Sequence, residues 1–187
     1  MRYAFIFLII IAIFIVLNQI QSTRPQTLNL PNNQKAVLGK QSKTSGCIAT
    51  NGKQDEACTP GDVFPDATID QICQSGYSKS VRNVSAETKK EVYSEYRITY
   101  HHSGEYEVDH LISLELGGSN DISNLWPEAA EPRPGFHEKD VVENYLHYMV
   151  CNKGMDLKAA QNAIATDWLS IYKQIPDPSK FEYKGGN

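Results

Sequence analysis

The chain has 187 residues, 41% of them hydrophobic and 21% charged, and ten tyrosines lead its aromatic content. That is an ordinary globular composition with enough apolar mass for a core, which excludes a low-complexity or fibrous protein. A formal charge of −4 excludes a polybasic protein with global attraction to polyanions, so any polyanion site must be a local patch.

The chain opens "MRYAFIFLIIIAIFIVLNQ", one arginine followed by an apolar run from Ala4 to Leu17. That run is shorter than the roughly 20 residues of a bilayer-spanning helix. Residues 1–20 therefore read as an export signal or, since no clear cleavage site follows, as an uncleaved N-terminal membrane anchor. Either way the remainder is expected to be periplasmic or secreted. Residues 21–46 are polar and basic without a single acidic residue, the pattern of a flexible linker.

Cys47, Cys58, Cys73 and Cys151 form no CxxC pair of the kind that holds structural zinc. In an exported chain an even count favours two disulfides over buried free thiols. The pairing expected is Cys47–Cys58, closing a small loop over residues 47–65, and Cys73–Cys151, joining an early helix to a late one.

A compact domain is expected over residues 66–175. "DATIDQICQSGY" reads as a short helix ended by Gly76, and "SAETKKEVYSEYRI" as a helix capped by Ser85 with Val92 and Tyr96 buried. "YEVDHLISLELGGSNDISNLWPE" reads as a hairpin with a long loop. "GFHEKDVVENYLHYMVC" carries Val141, Tyr145, Leu146 and Met149 at helical spacing. "MDLKAAQNAIATDWLSIYKQI" is a last helix, capped by Asp156, with Leu157, Ala160, Ile164, Trp168 and Ile171 on its apolar side. Residues 176–187 form a tail. The class is α+β, a small hairpin held among helices.

The chemistry sits in the hairpin. Asp109 and His110 are adjacent at the end of an alternating strand, Gly117-Gly118 allows an irregular loop, Asn124 follows, and His137 opens the next helix. Phosphodiester hydrolysis needs a base near neutral pH, which histidine supplies. It also needs positive charge near the leaving oxygen, which a divalent cation with a carboxylate ligand supplies.

"VDHLISLELGGSNDISNL" with a later histidine resembles the HNH endonuclease motif, whose fold is a ββα-metal unit. The resemblance is closest from Asp109 to Trp126 and extends more loosely from Cys73 to Tyr172, toward exported bacterial proteins with HNH-like domains. It implies a metal-dependent endonuclease; DNA is the favoured substrate, with little sequence preference because no separate recognition domain is visible in the sequence, and a monomer is expected. His110 would be the general base, Asn124 the residue that braces the loop and orients it, and Asp109 and His137 the ligands of one divalent ion. Mg²⁺ is favoured, with Zn²⁺, Ni²⁺ or Mn²⁺ as alternatives. Asp140 or Glu143, on the same helix as His137, are alternative ligands.

Two departures from that pattern stand out: the zinc-binding cysteine pairs of many relatives are absent, and a Pro-rich insert precedes His137. Arg82, Lys89, Lys90 and Arg97 gather before the hairpin and Arg133 before the last motif residue, as candidate contacts to a nucleic-acid backbone. The alternative from another class is a non-catalytic, disulfide-braced binding module with a degenerate HNH fold.

Overall fold

The computed structural model describes residues 36–182. The N-terminal apolar segment, expected as signal or anchor, lies outside the described residues. Among the described residues no helix is long and apolar enough to cross a membrane.

The architecture is mixed α and β. Helices α1 (Ile69–Ile72), α2 (Tyr77–Val81) and α3 (Ala86–Glu95) precede the strands β1 (Tyr106–His110) and β2 (Leu125–Ala129), and helices α4 (Phe136–Lys153) and α5 (Leu157–Tyr172) follow. The strands pair antiparallel, with Val108 opposite Pro127, Asp109 opposite Trp126 and His110 opposite Leu125. A two-stranded ribbon is marginal alone. Here α3 packs on the hairpin, while α4 packs on α5 and on the loop that leaves β1.

The local signals act as their chemistry dictates. The Ser85 hydroxyl accepts from Thr88 N–H, and the Asp156 carboxylate accepts from Ala159 N–H, so each satisfies an orphan donor of its helix. Gly154 closes α4 in the left-handed region at φ 73°. Val92, Val141, Leu146, Ala160, Ile164, Trp168 and Ile171 all lie in the buried core.

Two helices differ from a simple periodic pattern. The segment around Gly76 is split: a Thr68–Gln71 capping box opens α1, and Gly76, at φ 83°, stands before α2 rather than at a helix end. In α5 the backbone breaks at Asp167 (φ −160°, ψ 73°). The Asp167 carboxylate accepts from the Ser170 hydroxyl at 2.7 Å and its N–H at 3.3 Å, and pairs with Lys53 at 2.9 Å. An aspartate that can cap a new turn competes with the helix that contains it.

Both expected disulfides are present, Cys47–Cys58 and Cys73–Cys151, an arrangement suited to an oxidising compartment. The small loop is built into the core. Cys47 N–H donates to Glu95 C=O at 2.9 Å, and the Thr59 hydroxyl meets the Tyr96 hydroxyl at 2.7 Å and Leu125 C=O at 3.0 Å. Part of the stretch expected as linker is docked as well: Gly39 N–H donates to Gly61 C=O, and Gln41 Nε2 to buried Glu95.

The long connection between the strands depends on its two glycines. Gly117 has φ 76°, and a Cβ on Gly118 would collide with the Ile112 carbonyl, at the point where Gly118 N–H bonds to Ser113 C=O. Gly118→Ala is expected to lower unfolding free energy by about 3 kcal/mol or more, because the obstacle is backbone rather than a movable side chain. Urea denaturation of the two proteins measures this; an unchanged midpoint would show that the loop can open without cost.

Candidate active site at the end of the hairpin

The fully buried Asn124 organises the loop. Its Oδ1 accepts from Ile112 N–H at 2.9 Å and Asp62 N–H at 3.3 Å, and its Nδ2 donates to Ile112 C=O at 3.0 Å and Ser119 C=O at 2.9 Å. Both donors and both acceptor positions of the amide are therefore used. Three separate stretches of chain meet on one side chain, and Leu111, next to His110, is fixed to Asn124 C=O at 2.8 Å.

His110 is 3% exposed. Its Nε2 lies 3.2 Å from Asn120 Oδ1. The orientation of the Asn120 amide is fixed by its other bonds, Nδ2 to Val81 C=O at 2.8 Å and Oδ1 from Asn83 N–H at 3.1 Å. Since Oδ1 only accepts, Nε2 carries the hydrogen. The neutral imidazole thus keeps its lone pair on Nδ1, which has no hydrogen-bond partner among the described residues. Burial, helped by the nearby positive charges of Arg82 and Lys139, pushes the His110 pKa down to about 4 against the pull of Asp109 and Asn120. The ring is a neutral base at pH 7. Asn120 escapes a sequence reading because a Gly-Gly-Ser-Asn run is already explained as a turn.

Asp109 faces the other way. Strand alternation sends Asp109, Trp126 and Glu128 to one side of the ribbon and His110 and Leu125 to the other. On the Asp109 side lies Lys139, a fully buried lysine of α4. Its Nζ donates to Asp109 Oδ2 at 2.6 Å, to His110 C=O at 2.7 Å and to Glu143 Oε1. All three ammonium hydrogens are spent. Sequence does hold a trace of this: Lys139 continues the Val142–Leu146–Val150 stripe at helical spacing, and it stands i,i+4 from Glu143.

The carboxylates around this ammonium do not share its charge equally. Burial would raise the Asp109 pKa, but Lys139 outweighs it and holds the group below its ordinary value. Burial drives Glu143 up to about 7 and Asp140 up to about 6, with the negative charge of Asp109 adding to both. Glu128, 1% exposed and with neither oxygen in a well-formed hydrogen bond, is pushed well above the usual carboxylate range, first by burial. One positive charge serves one ionised carboxylate well, and its neighbours tend to hold their protons.

His137 is exposed on the first turn of α4, its ring 4.3 Å from that of Phe136. Among the described residues the group of three or more potential ligands with convergent atoms is Cys73, His147 and Cys151, away from the hairpin. The cation in contact with Asp109 is the Lys139 ammonium. Asp109, one of the two expected ligands, is thus engaged by Lys139, and His137, the other, is exposed.

The basic residues fall into two sets. Arg82 follows α2 beside His110, and Lys89 and Lys90 are exposed on α3. Arg97 packs its guanidinium over Gly46, and Arg133 pairs with Glu138.

Two outcomes follow from the buried charges. Lys139→Met leaves Asp109 and Glu143 without their cation and is expected to cost about 3–5 kcal/mol in urea denaturation. Adding Asp109→Asn and Glu143→Gln should return much of that loss, and no recovery would mean that the ammonium acts through packing alone. The contribution of His110 to the pH dependence has a definite sign. Between the unfolded histidine value near 6.5 and the folded value of about 4, its ring binds more protons in the unfolded chain, so this contribution falls as pH falls, opposing the raised Glu143 and Asp140 carboxyls, which bind more protons in the folded chain. Relative to the parent, His110→Asn should therefore gain stability as pH falls through that window, and paired melting curves at stepped pH would show it.

No protein-family model, curated protein or solved structure matches the chain, so the function rests on the site's own residues.

Proposed function

We propose that the protein is an exported endonuclease that hydrolyses phosphodiester bonds of nucleic acid, DNA in the first instance, with His110 as general base. The observation that supports this most is the state of His110. A neutral imidazole is anchored through Nε2–H, keeps the Nδ1 lone pair, and stands beside an arginine at the end of a hairpin whose loop is clamped by Asn124. In this reading Nδ1 takes the proton of the attacking water. Asn120 holds the tautomer, and Arg82 meets the phosphate. Lys89 and Lys90 add backbone contacts without sequence preference. The HNH resemblance and its ββα-metal order, strand, loop, strand and helix, belong to the same proposal. So does a divalent ion, Mg²⁺ before Zn²⁺, Ni²⁺ or Mn²⁺, which would supply positive charge near the leaving oxygen; Asp109, its expected ligand, is paired with Lys139.

The enclosure of His110 and the Lys139–Asp109 pair favour a second reading, a non-catalytic binding module with the same hairpin. The two readings part on turnover. Supercoiled plasmid and single-stranded RNA are incubated with the protein in Mg²⁺, Mn²⁺, Ni²⁺ or Zn²⁺, and again after exhaustive chelation. The endonuclease reading expects nicking, and a fall of about 10²–10⁴-fold in His110→Ala. Cleavage that survives in His110→Ala removes His110 from the mechanism. Binding by gel shift with no cleavage in any metal leaves the binding module.

A further inference from the structure

The disulfide between α1 and α4 has a third potential metal ligand beside it. Cys73 is the C-terminal cap of α1 and Cys151 lies near the end of α4. His147 stands one turn before Cys151 on the same helix face. One ring nitrogen of His147 and the two sulfurs all lie within 4.8 Å of one another. The imidazole is also held by the backbone: His147 Nε2 is 3.0 Å from Ile72 C=O, the carbonyl of the residue preceding Cys73. A carbonyl only accepts, so Nε2 carries the hydrogen and Nδ1 keeps the lone pair. A backbone carbonyl accepting one ring N–H, with the other nitrogen left to bind, is the usual outer partner of a metal-bound histidine.

The two disulfides also differ in access. Cys47 and Cys58 are 2% and 0% exposed, whereas Cys73 and Cys151 are both half-buried. Thiol–disulfide exchange requires the attacking thiolate to reach a sulfur, so the Cys73–Cys151 bond is the one a dithiol reduces first.

We propose that Cys73, His147 and Cys151 form a redox-dependent site for a thiophilic divalent cation, Zn²⁺ by its ligand chemistry. A dithiol reductant donates two electrons to the Cys73–Cys151 bond, becomes a disulfide itself, and leaves two cysteine thiols. Zn²⁺ then binds both sulfurs as thiolates and the His147 imidazole, releasing two protons to solvent. Two thiolates and one imidazole make a three-ligand set with the fourth tetrahedral position open to water. Zinc–sulfur bonds of about 2.3 Å require the sulfurs to part, and the bound metal then joins the same two helices as the disulfide it replaces. The site is distinct from the hairpin and does not depend on the nuclease reading.

The test uses Co²⁺ as a spectroscopic stand-in for Zn²⁺. The full protein is reduced with a phosphine, freed of reductant without air, and titrated with Co²⁺. The expected result is one equivalent bound, with thiolate charge-transfer and tetrahedral d–d absorption and two protons released per ion; the oxidised protein should show none of these. His147→Ala should weaken binding by at least about tenfold, and the Cys47→Ser/Cys58→Ser pair should leave the spectrum unchanged. Melting curves give a second readout: Zn²⁺ should raise the midpoint of the reduced protein more than that of reduced His147→Ala at the same concentration. Absence of stoichiometric Co²⁺ binding, equal affinity in His147→Ala, or a spectrum that disappears with Cys47 and Cys58 overturns the proposal. A reduced protein that unfolds and is not restored by Zn²⁺ overturns it too.

Discussion

One buried ammonium sets the geometry of the hairpin against the helix that follows it. Lys139 reaches from α4 to the Asp109 carboxylate and to the backbone carbonyl of His110. The second contact matters as much as the first, because it fixes the main chain at the residue whose side chain the proposed chemistry uses. A lysine out of water is costly unless its hydrogens are all taken, and here each one is. The packing of hairpin on helix and the charge balance of the interior are therefore one problem with one solution. Any change that moves α4 also moves the strand end.

The hairpin consequently has two chemically different faces. Toward α4 it presents Asp109, Trp126 and Glu128 to a carboxylate-rich region around the buried Lys139 ammonium. Toward α2 and the loop it presents His110 to an amide and an arginine. The alternation of a strand makes this unavoidable: neighbours in sequence look in opposite directions. An Asp-His pair that reads as one catalytic unit in a line of letters is divided by the pleat. Asp109 carries the connection to the core, and His110 carries the connection to the surface segments near Arg82.

Much of this was legible in the sequence because it rests on local rules. Ser85 and Asp156 cap their helices by side-chain chemistry that needs no tertiary context. Val141, Leu146, Ile164 and Trp168 are buried by periodicity, and the cysteine count led to both disulfides. Asn124 stood out by its place after the double glycine. Less legible was whatever depends on a partner far along the chain. No local rule marks Glu128 or the charge of Lys139 as buried, and Asn120 after a double glycine reads as a turn former. Each gains its role from residues that meet it only in the fold: Asp109 for Lys139 and Glu128, Val81 and His110 for Asn120. The docking of Gln41 on Glu95 was hidden for the same reason, since polar composition alone says linker.

The Cys73–Cys151 bond spans 78 residues, and the candidate active site lies wholly inside that span. Closing so long a loop removes a large share of unfolded-chain entropy, about 4–5 kcal/mol in the chain-entropy account. It also changes what a break in the backbone means. A protease that cuts once between these cysteines, in the 99–104 loop for example, produces two pieces that remain one covalent molecule. The strands, the clamp at Asn124 and the ammonium of Lys139 stay at high mutual concentration, so a nicked chain is still under the constraint that assembles the intact one.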